Sequence, residues 1–400
     1  MQITDLAEEQ KILPVLRLGF RPFFLGGALF SVMALVLWGA MLSGYITFQP
    51  YGGGQWWHMH EMLFGFGCAI VAGFLLTAIQ NWTGVRGISG LPLLGLFTLW
   101  FTARVALLLP SLLNDYIIVL IDLSFLPAVA YVLAKPLLRI KQYRNLFFVP
   151  LLVLFTVANI EMHLAKLGLA NMTVNQAAYA SVMLMAFLMS VMAGRVVPMF
   201  TANGTKTTKV LPLPWLEKAA TGSLAVITAL LLIQPLLSVP DFVFGVLFMV
   251  SAICQAIRWY RWKPWITLGV PLLWSIHGAL FFIWVGLFTL GMSYFINVPI
   301  VSHLWHLLTV GGMGGLILAM ISRVSLGHTG RMLQQPKAMF LGFLSIFIAA
   351  IIRVIGPIFW MQHYMTFINL SIVFWLIAFG LFVYHYTPML FKARVDGRPG

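Results

Sequence analysis

Charged residues are scarce in this chain of 400 residues. They make up 8% of the sequence, and only ten of them are Asp or Glu. Soluble domains carry roughly 25% charged residues, so most of the surface of this protein cannot face water. The scarcity of charge excludes an ordinary soluble protein and indicates that lipid is the main solvent.

Cysteine is almost absent as well. Cys68 and Cys254 each lie within an apolar run and form no Cys-x-x-Cys pair. This excludes a disulfide framework and a thiolate metal site. The formal charge of +14 would favour nucleic-acid binding in a soluble protein. Here the basic residues lie in short links between apolar runs, so topology explains them and no nucleic-acid partner is expected.

What the chain does contain is long, unbroken apolar runs, such as residues 91–110 and 340–352. Crossing a bilayer takes roughly 20 apolar residues per helix, whereas a membrane β-barrel would alternate apolar and polar residues. The sequence predicts an all-α polytopic membrane protein with about 12 transmembrane helices. The predicted spans are 20–45, 57–81, 90–110, 116–137, 146–168, 176–199, 212–237, 241–260, 265–294, 299–322, 338–357 and 364–388.

Lysine and arginine predict the orientation of these spans. They cluster before the first span, after the last, and in every second link, for example at 135–144 and 258–263. Cytoplasmic loops carry such an excess. We therefore expect a multi-pass protein of the inner membrane with both termini cytoplasmic. Arg104, Lys166 and Arg353 fall outside the pattern.

Three segments resemble one another at the predicted cytoplasmic ends of spans 2, 6 and 10. They are residues 77–84, 195–201 and 323–330. His60 and His306 each lie 23 residues before the threonine of their copy, Thr83 and Thr329. Because the three segments lie four spans apart, they suggest three repeats of four helices within a single membrane domain, at about 15–137, 146–260 and 265–388.

Histidines gather where lipid is expected. His58 and His60 open span 2 at the predicted periplasmic side, and His303 and His306 open span 10 at the same side. His163 lies near the periplasmic end of span 5 and His277 near the middle of span 9. Ionisable residues at membrane depth usually mark function, and neutral imidazole suits iron, copper and zinc.

Helical geometry suggests two centres. His60 points about 200° away from His58, so the two belong to different faces. We predict that His60 and His306 hold a haem iron, and that His58, His303, His163 and His277 supply ligands for copper. The alternative is a purely structural role, in which each imidazole forms a hydrogen bond with a backbone carbonyl or with interfacial water.

Two intramembrane arginines, Arg104 and Arg353, need anionic partners. Asp122, Glu161 and Glu61 are candidates for an ion pair. Haem propionates are the other option, because Arg binds carboxylates bidentately. The sequence leaves both open.

Six short motifs can be read along the chain. They are Leu18-Gly-Phe-Arg-Pro-Phe-Phe24, Trp57-His-Met-His-Glu-Met-Leu-Phe-Gly-Phe66, Gly73-Phe-Leu-Leu-Thr-Ala78, Asn81-Trp-Thr-Gly84, Gly194-Arg-Val-Val-Pro-Met-Phe-Thr201 and Arg323-Val-Ser-Leu-Gly-His-Thr-Gly-Arg331. Together these motifs resemble the NnrS family. The resemblance covers nearly the whole chain. It implies a bacterial membrane protein that contains haem and copper and is tied to nitric oxide and to nitrosative-stress resistance, with no residue-level ligand set to carry over.

A second resemblance is architectural. Haem–copper oxidases also arrange twelve helices in three pseudo-repeats of four, with haem histidines on the second and tenth helices, where His60 and His306 fall. Their sixth helix carries a copper-binding histidine that span 6 lacks here. The missing histidine argues against oxidase-type chemistry in this protein, because a shared fold alone does not establish a shared function.

These observations favour a protein that binds or converts nitric oxide or a related small molecule at a periplasmic-side metal centre. Redox conversion would require an electron donor that the sequence does not identify. The alternatives are a transporter of metal, haem or a small solute, and a haem sensor or electron-transfer module without turnover. The sequence leaves open whether the protein is an enzyme.

Overall fold

The computed structural model describes residues 6–298 and 300–400. Twelve of its helices are long and apolar enough to cross a membrane, and no β-strand occurs among the described residues. We number them α1 (Phe20–Leu42), α2 (Gly53–Thr83), α3 (Leu91–Leu108), α4 (Asp115–Arg139), α5 (Tyr143–Leu167), α6 (Val174–Thr205), α7 (Pro214–Ile233), α8 (Asp241–Arg261), α9 (Pro271–Met292), α10 (Val301–His328), α11 (Met339–Phe359) and α12 (Met361–Leu390). The chain is an all-α polytopic membrane protein, which confirms the predicted fold class.

The helix ends differ from the predicted spans for local reasons. α9 begins at Pro271, because residues Pro264–Thr267 form a separate 3-10 turn and proline is suited to a first helical turn. α4 begins where the Asn114 side chain accepts a hydrogen bond of 2.9 Å from the backbone N–H of Ile117. α2 ends at Thr83, because the next residue, Gly84, has a φ of 67° and lies in the left-handed region that glycine favours. Pro299, the predicted first residue of the tenth span, lies outside the described residues.

Two of the long helices contain a π-helical stretch. In α2 it covers Glu61–Gly67, and in α10 it covers Leu307–Gly314. Each stretch begins directly after one of the two histidines that share the 23-residue spacing, His60 and His306. π-helical turns are uncommon and are found often at functional sites. The two helices therefore share a local distortion at the residues for which the sequence predicts ligand roles.

The chain forms two compact units. Of the described residues, the first contains those within 6–178, 324–334 and 382–400, and the second contains those within 179–298, 300–323 and 335–381. Within the first unit, α2 packs against α1 and α4, and α4 packs against α3 and α5. Within the second unit, α8 packs against α7 and α9, and the π stretch of α10 packs against α9 and α11. The three internal repeats remain a prediction.

Candidate metal centre in the first unit

The first unit buries a group of polar side chains between its membrane-spanning helices. α2 supplies two of them at the start of its π stretch, α3 and α4 supply one each, and α5 supplies two that are four residues apart and so share a face. All are at most 4% exposed: His60, Glu61, Arg104, Asp122, Asn159 and His163. Buried polar groups at membrane depth persist when they satisfy one another or bind a ligand.

The His60 ring faces acceptors on both sides. Its Nδ1 lies 2.9 Å from Glu61 Oε1, and its Nε2 lies 2.8 Å from Asn159 Oδ1 and 3.1 Å from Asp122 Oδ2. The amide of Asn159 is oriented by its own Nδ2, which donates to Asp122 Oδ2 over 2.7 Å. Because every partner is an acceptor, both ring nitrogens carry protons and His60 is an imidazolium in this arrangement.

Arg104 links the two carboxylates of the cluster. Its Nη1 donates to Glu61 Oε1 over 2.6 Å, and its Nη2 donates to Asp122 Oδ1. Gly65 makes room for this bridge, since a Cβ at that position would lie 2.9 Å from both Arg104 Nη1 and Glu61 Oε2. Two carboxylates, one guanidinium and one imidazolium balance in charge, which is the condition for burying ions at tolerable cost.

His163 completes the cluster from α5. Its Nε2 lies 3.1 Å from Asp122 Oδ2, and its Nδ1 lies 3.4 Å from the hydroxyl oxygen of Tyr51. Tyr51 precedes α2, and burial is the main cause that raises its pKa above the ordinary value. The phenol therefore stays protonated and can donate to Nδ1, which makes His163 a neutral imidazole that donates through Nε2.

Three of these residues could hold a metal ion. One ligand atom from each of His60, Asp122 and His163 lies within 4.8 Å of the other two. Two imidazoles and a carboxylate suit iron, copper and zinc. Each candidate ligand is also held from its far side: His60 by Glu61, Asp122 by Arg104, and His163 by Tyr51. Such outer partners fix ring orientation and tune ligand basicity at metal sites.

The structure groups the predicted site residues differently from the sequence. It brings His60, His163 and Arg104 together, although the predictions give His60 to haem and His163 to copper. His58 is half-buried and stacks on Trp38, with ring centroids 4.6 Å apart. Arg104 lies against Glu61 and Asp122, two of the partners proposed for it.

The remaining predicted residues lie in the second unit. His303 is buried and accepts a hydrogen bond at Nδ1 from Arg353, and its ring lies 5.6 Å from that of Tyr364. His306 is half-buried, with its Nδ1 3.2 Å from the carbonyl oxygen of Ser302. His277 is buried with its Nε2 2.9 Å from Thr201 Oγ1. The roles predicted for these residues stay predictions.

The sequence does not single out Asn159, a member of the cluster, or Tyr51, whose hydroxyl lies against His163. Asn159 lies four residues before His163 on an apolar helix. Residues four apart share a helix face, so this spacing could have indicated that the two side chains lie together. Tyr51 lies in the link before α2, where nothing in the sequence ties it to His163. The pairing depends on which helices are neighbours, and that is a tertiary property.

The fold and this cluster define a multi-pass α-helical membrane protein with a buried donor set that could hold a metal ion. The chain belongs to the NnrS family: the family model described as NnrS protein matches residues 14–394, nearly the whole chain. No curated protein matches the chain. Membership confirms the resemblance carried by the motifs, and it indicates a nitric-oxide-related membrane protein of a metal-associated family.

Proposed function

We propose that this protein protects against nitric oxide and nitrosative stress by binding nitric oxide at a metal centre held by His60, Asp122 and His163. Family membership supports the link to nitric oxide. The observation that carries the proposal is the convergence of these three buried ligand residues, each held by an outer partner. Whether nitric oxide is only bound or also converted depends on an electron donor.

The residues around His60 fit a single ion better than a haem macrocycle. The His60 ring lies between Trp56 and Phe64, with ring centroids 4.5 Å and 5.1 Å away, and it is 0% exposed. Its two nitrogens are engaged by Glu61, Asp122 and Asn159. We therefore favour copper or iron as a single ion in the first unit. Haem held by His60 and His306, with Arg104 and Arg353 on its propionates, remains the competing prediction.

The chain's own side chains would prepare the site for such an ion. A copper or iron ion held there would supply a coordination position for nitric oxide. Trp56 and Phe64 exclude water from the His60 side, and Arg104 keeps Asp122 ionised and oriented. The Tyr51 hydroxyl can either donate a hydrogen bond to His163 Nδ1 or accept one from it. The His163 ring can therefore change tautomer, with its proton on Nδ1 and Nε2 left free to bind an ion.

The metal and its ligands can be tested together. Full-length protein purified in detergent would be assayed for copper, iron and haem, and for spectral changes on adding nitric oxide. We expect Asp122→Asn and His163→Ala to lose the ion and the nitric oxide signal. His363→Ala, in the exposed 3-10 turn with which α12 begins, is the matched control and should keep both. Unchanged metal and nitric oxide binding in both cluster variants would overturn the proposal. Loss of haem in His60→Ala with the other metal retained would favour the haem prediction.

We further propose an inner-membrane orientation with both termini cytoplasmic, which puts the metal centre near the periplasmic ends of α2 and α5. The alternation of Lys and Arg among the links supports it. Reporter fusions at Gly204 and at the last residue should behave as cytoplasmic, and a fusion at Gly53 as periplasmic. The reverse pattern would overturn this orientation.

A further inference from the structure

A second polar feature of the first unit lies away from the metal centre. A cavity of about 540 Å³ opens between the start of α1, the end of α2 and the segment that follows α12. Arg17, Arg86, Arg394 and Arg398 line it, together with the amides of Gln80 and Asn81. A volume of this size is typical of pockets for small-molecule ligands.

Motifs that the metal centre does not use meet at this cavity. Leu18 belongs to the motif that opens α1, Asn81 to the motif that ends α2, and His328 to the motif at the end of α10. The His328 ring packs against Phe20, with ring centroids 5.5 Å apart. Three segments that are remote in sequence therefore line one cavity, and the proposed nitric oxide chemistry requires none of them.

The charges around the cavity do not balance. Arg17 lies 3.9 Å from Glu9, and Arg394 donates to both carboxylate oxygens of Asp396 over 2.9 Å and 2.6 Å. The side chains of Arg86 and Arg398 form no ion pair within the part of the chain that the structure describes. The nearest carboxylate to Arg398 is Asp396, which accepts from the Arg398 backbone N–H over 3.3 Å and is already paired with Arg394. Among the described residues, two guanidinium groups thus line the cavity without a carboxylate within ion-pair distance.

The buried wall behind the cavity adds a further positive charge. Arg21 is 0% exposed and donates to main-chain oxygens of Leu390, Lys392 and Gly400, and the one acidic side chain that acts on its charge among the described residues, Glu9, also pairs with Arg17. The ionised carboxylate of Asp396 accepts hydrogen bonds from two nitrogens of Arg394, so its negative charge mainly offsets that arginine. The cavity therefore presents a positive field to whatever enters it.

We propose that this cavity binds the phosphate group of a small anionic molecule or of a phospholipid headgroup. Guanidinium groups match phosphate oxygens with paired N–H donors, and a phosphate offers three oxygens where a carboxylate offers two. Because several arginines line the cavity, a phosphate group, with more acceptor oxygens, fits it better than a carboxylate does. The end of α2 that supplies Arg86 is predicted to be cytoplasmic, where basic pockets between membrane helices meet both soluble phosphates and anionic headgroups.

Binding can be measured on the full-length protein with inorganic phosphate as the probe. Thermal stability would be followed during a phosphate titration in uncharged detergent, with sodium chloride at equal ionic strength as the reference. We expect a phosphate-dependent rise in the unfolding midpoint. The double variant Arg86→Gln/Arg398→Gln should weaken the apparent affinity about tenfold. Arg139→Gln removes an exposed arginine at the end of α4 and should leave the affinity unchanged.

A second arm distinguishes the two sources of phosphate. The protein would be reconstituted in nanodiscs of phosphatidylcholine alone or mixed with phosphatidylglycerol, and bound lipid would be counted by native mass spectrometry. Retention of phosphatidylglycerol that the double variant loses assigns the cavity to a headgroup. Phosphate binding without such retention assigns it to a soluble ligand. The proposal is overturned by the absence of both effects, or by equal losses in Arg139→Gln and the double variant.

Discussion

The indole of Trp56 lies parallel to the imidazole of His60, with ring centroids 4.5 Å apart and an interplanar angle of 11°. The same indole donates from Nε1 to the carbonyl oxygen of Met162 over 3.0 Å. Met162 directly precedes His163, so Trp56 connects the backbone that carries one candidate ligand to the ring of the other. The spacing between α2 and α5 at the metal centre depends on this residue.

Replacing Trp56 should loosen the centre without removing a ligand. We expect Trp56→Leu to lower metal affinity about tenfold, as the loss of a group that orients a metal ligand commonly does. Trp56→Phe should keep most of the affinity. The measurement is a copper titration followed by tryptophan fluorescence, in which wild-type quenching includes the indole beside His60. Trp82→Phe removes another stacked indole, 5.2 Å from Phe148, and should titrate like the wild type. Equal affinity in Trp56→Leu would contradict this account.

Metal binding should release a proton. His60 carries two ring protons in the described arrangement, because both nitrogens face acceptors. A metal ion on Nε2 must displace one of them, whereas His163 can transfer its Nε2 proton to Nδ1 beside Tyr51. Affinity should therefore rise with pH for as long as His60 is an imidazolium in the metal-free protein.

Calorimetry in two buffers with different ionisation enthalpies would count the protons. We expect about one proton released per ion in the wild type. The count should vanish along with binding in His60→Gln, and it should be unchanged in His363→Ala. An affinity independent of pH would show that His60 is neutral before the ion arrives.

Arg104→Gln should destabilise the protein strongly. It leaves Glu61 and Asp122 buried with only the His60 charge to offset them, and breaking a buried ion pair costs about 3–5 kcal/mol. The double variant Arg104→Gln/Asp122→Asn removes one carboxylate and restores the balance of charge, so it should be more stable than Arg104→Gln alone. Equilibrium unfolding in mixed micelles measures both. If Arg104→Gln unfolds at the wild-type denaturant concentration, the ion pairs contribute little to stability.

The π-helical stretch of α2 should be required for metal binding but not for insertion of α2 into the membrane. Deleting Met62 removes one residue from Glu61–Gly67 and favours an ordinary α-helix, in which each residue turns the helix by about 100°. His60 would then rotate relative to Gly65 and the rest of α2. We expect loss of metal with normal membrane insertion. Met62→Ala keeps the length of the stretch and should keep the metal. Full metal content in the deletion would mean that the α2 backbone adapts without the π turn.

Much of the fold follows from composition alone. All twelve spans are confirmed, because a run of some twenty apolar residues has few other stable forms in a bilayer. The ends are less certain: α10 continues to His328 although apolar character fades after Ser322. Backbone hydrogen bonding extends a helix past the apolar run that predicts it.

The candidate site could be predicted only in part. The sequence points to His60, His163 and Arg104, because ionisable residues are costly in lipid. It also names Asp122 and Glu61 as possible partners of Arg104, and the structure places both against it. The sequence cannot show that α5 lies beside α2, so it misses the neighbours His60 and His163, whose ring centroids are 5.4 Å apart. Helical periodicity shows which residues share a face of one helix. It does not show which other helix packs against that face, because that depends on how the whole bundle assembles.

The charge-balanced cluster also constrains how the protein is made. His60 and Glu61 leave the ribosome one after the other, Arg104 follows 43 residues after Glu61, and Asn159 emerges 99 residues after His60. At roughly 5–20 residues per second of translation, α2 waits for several seconds with its charges uncompensated. During that interval lipid is a poor solvent for it, so nascent α2 should stay beside the insertion machinery until α5 arrives. The partners of Glu61 and His60 thus determine when the first half of the chain can enter the bilayer as a unit.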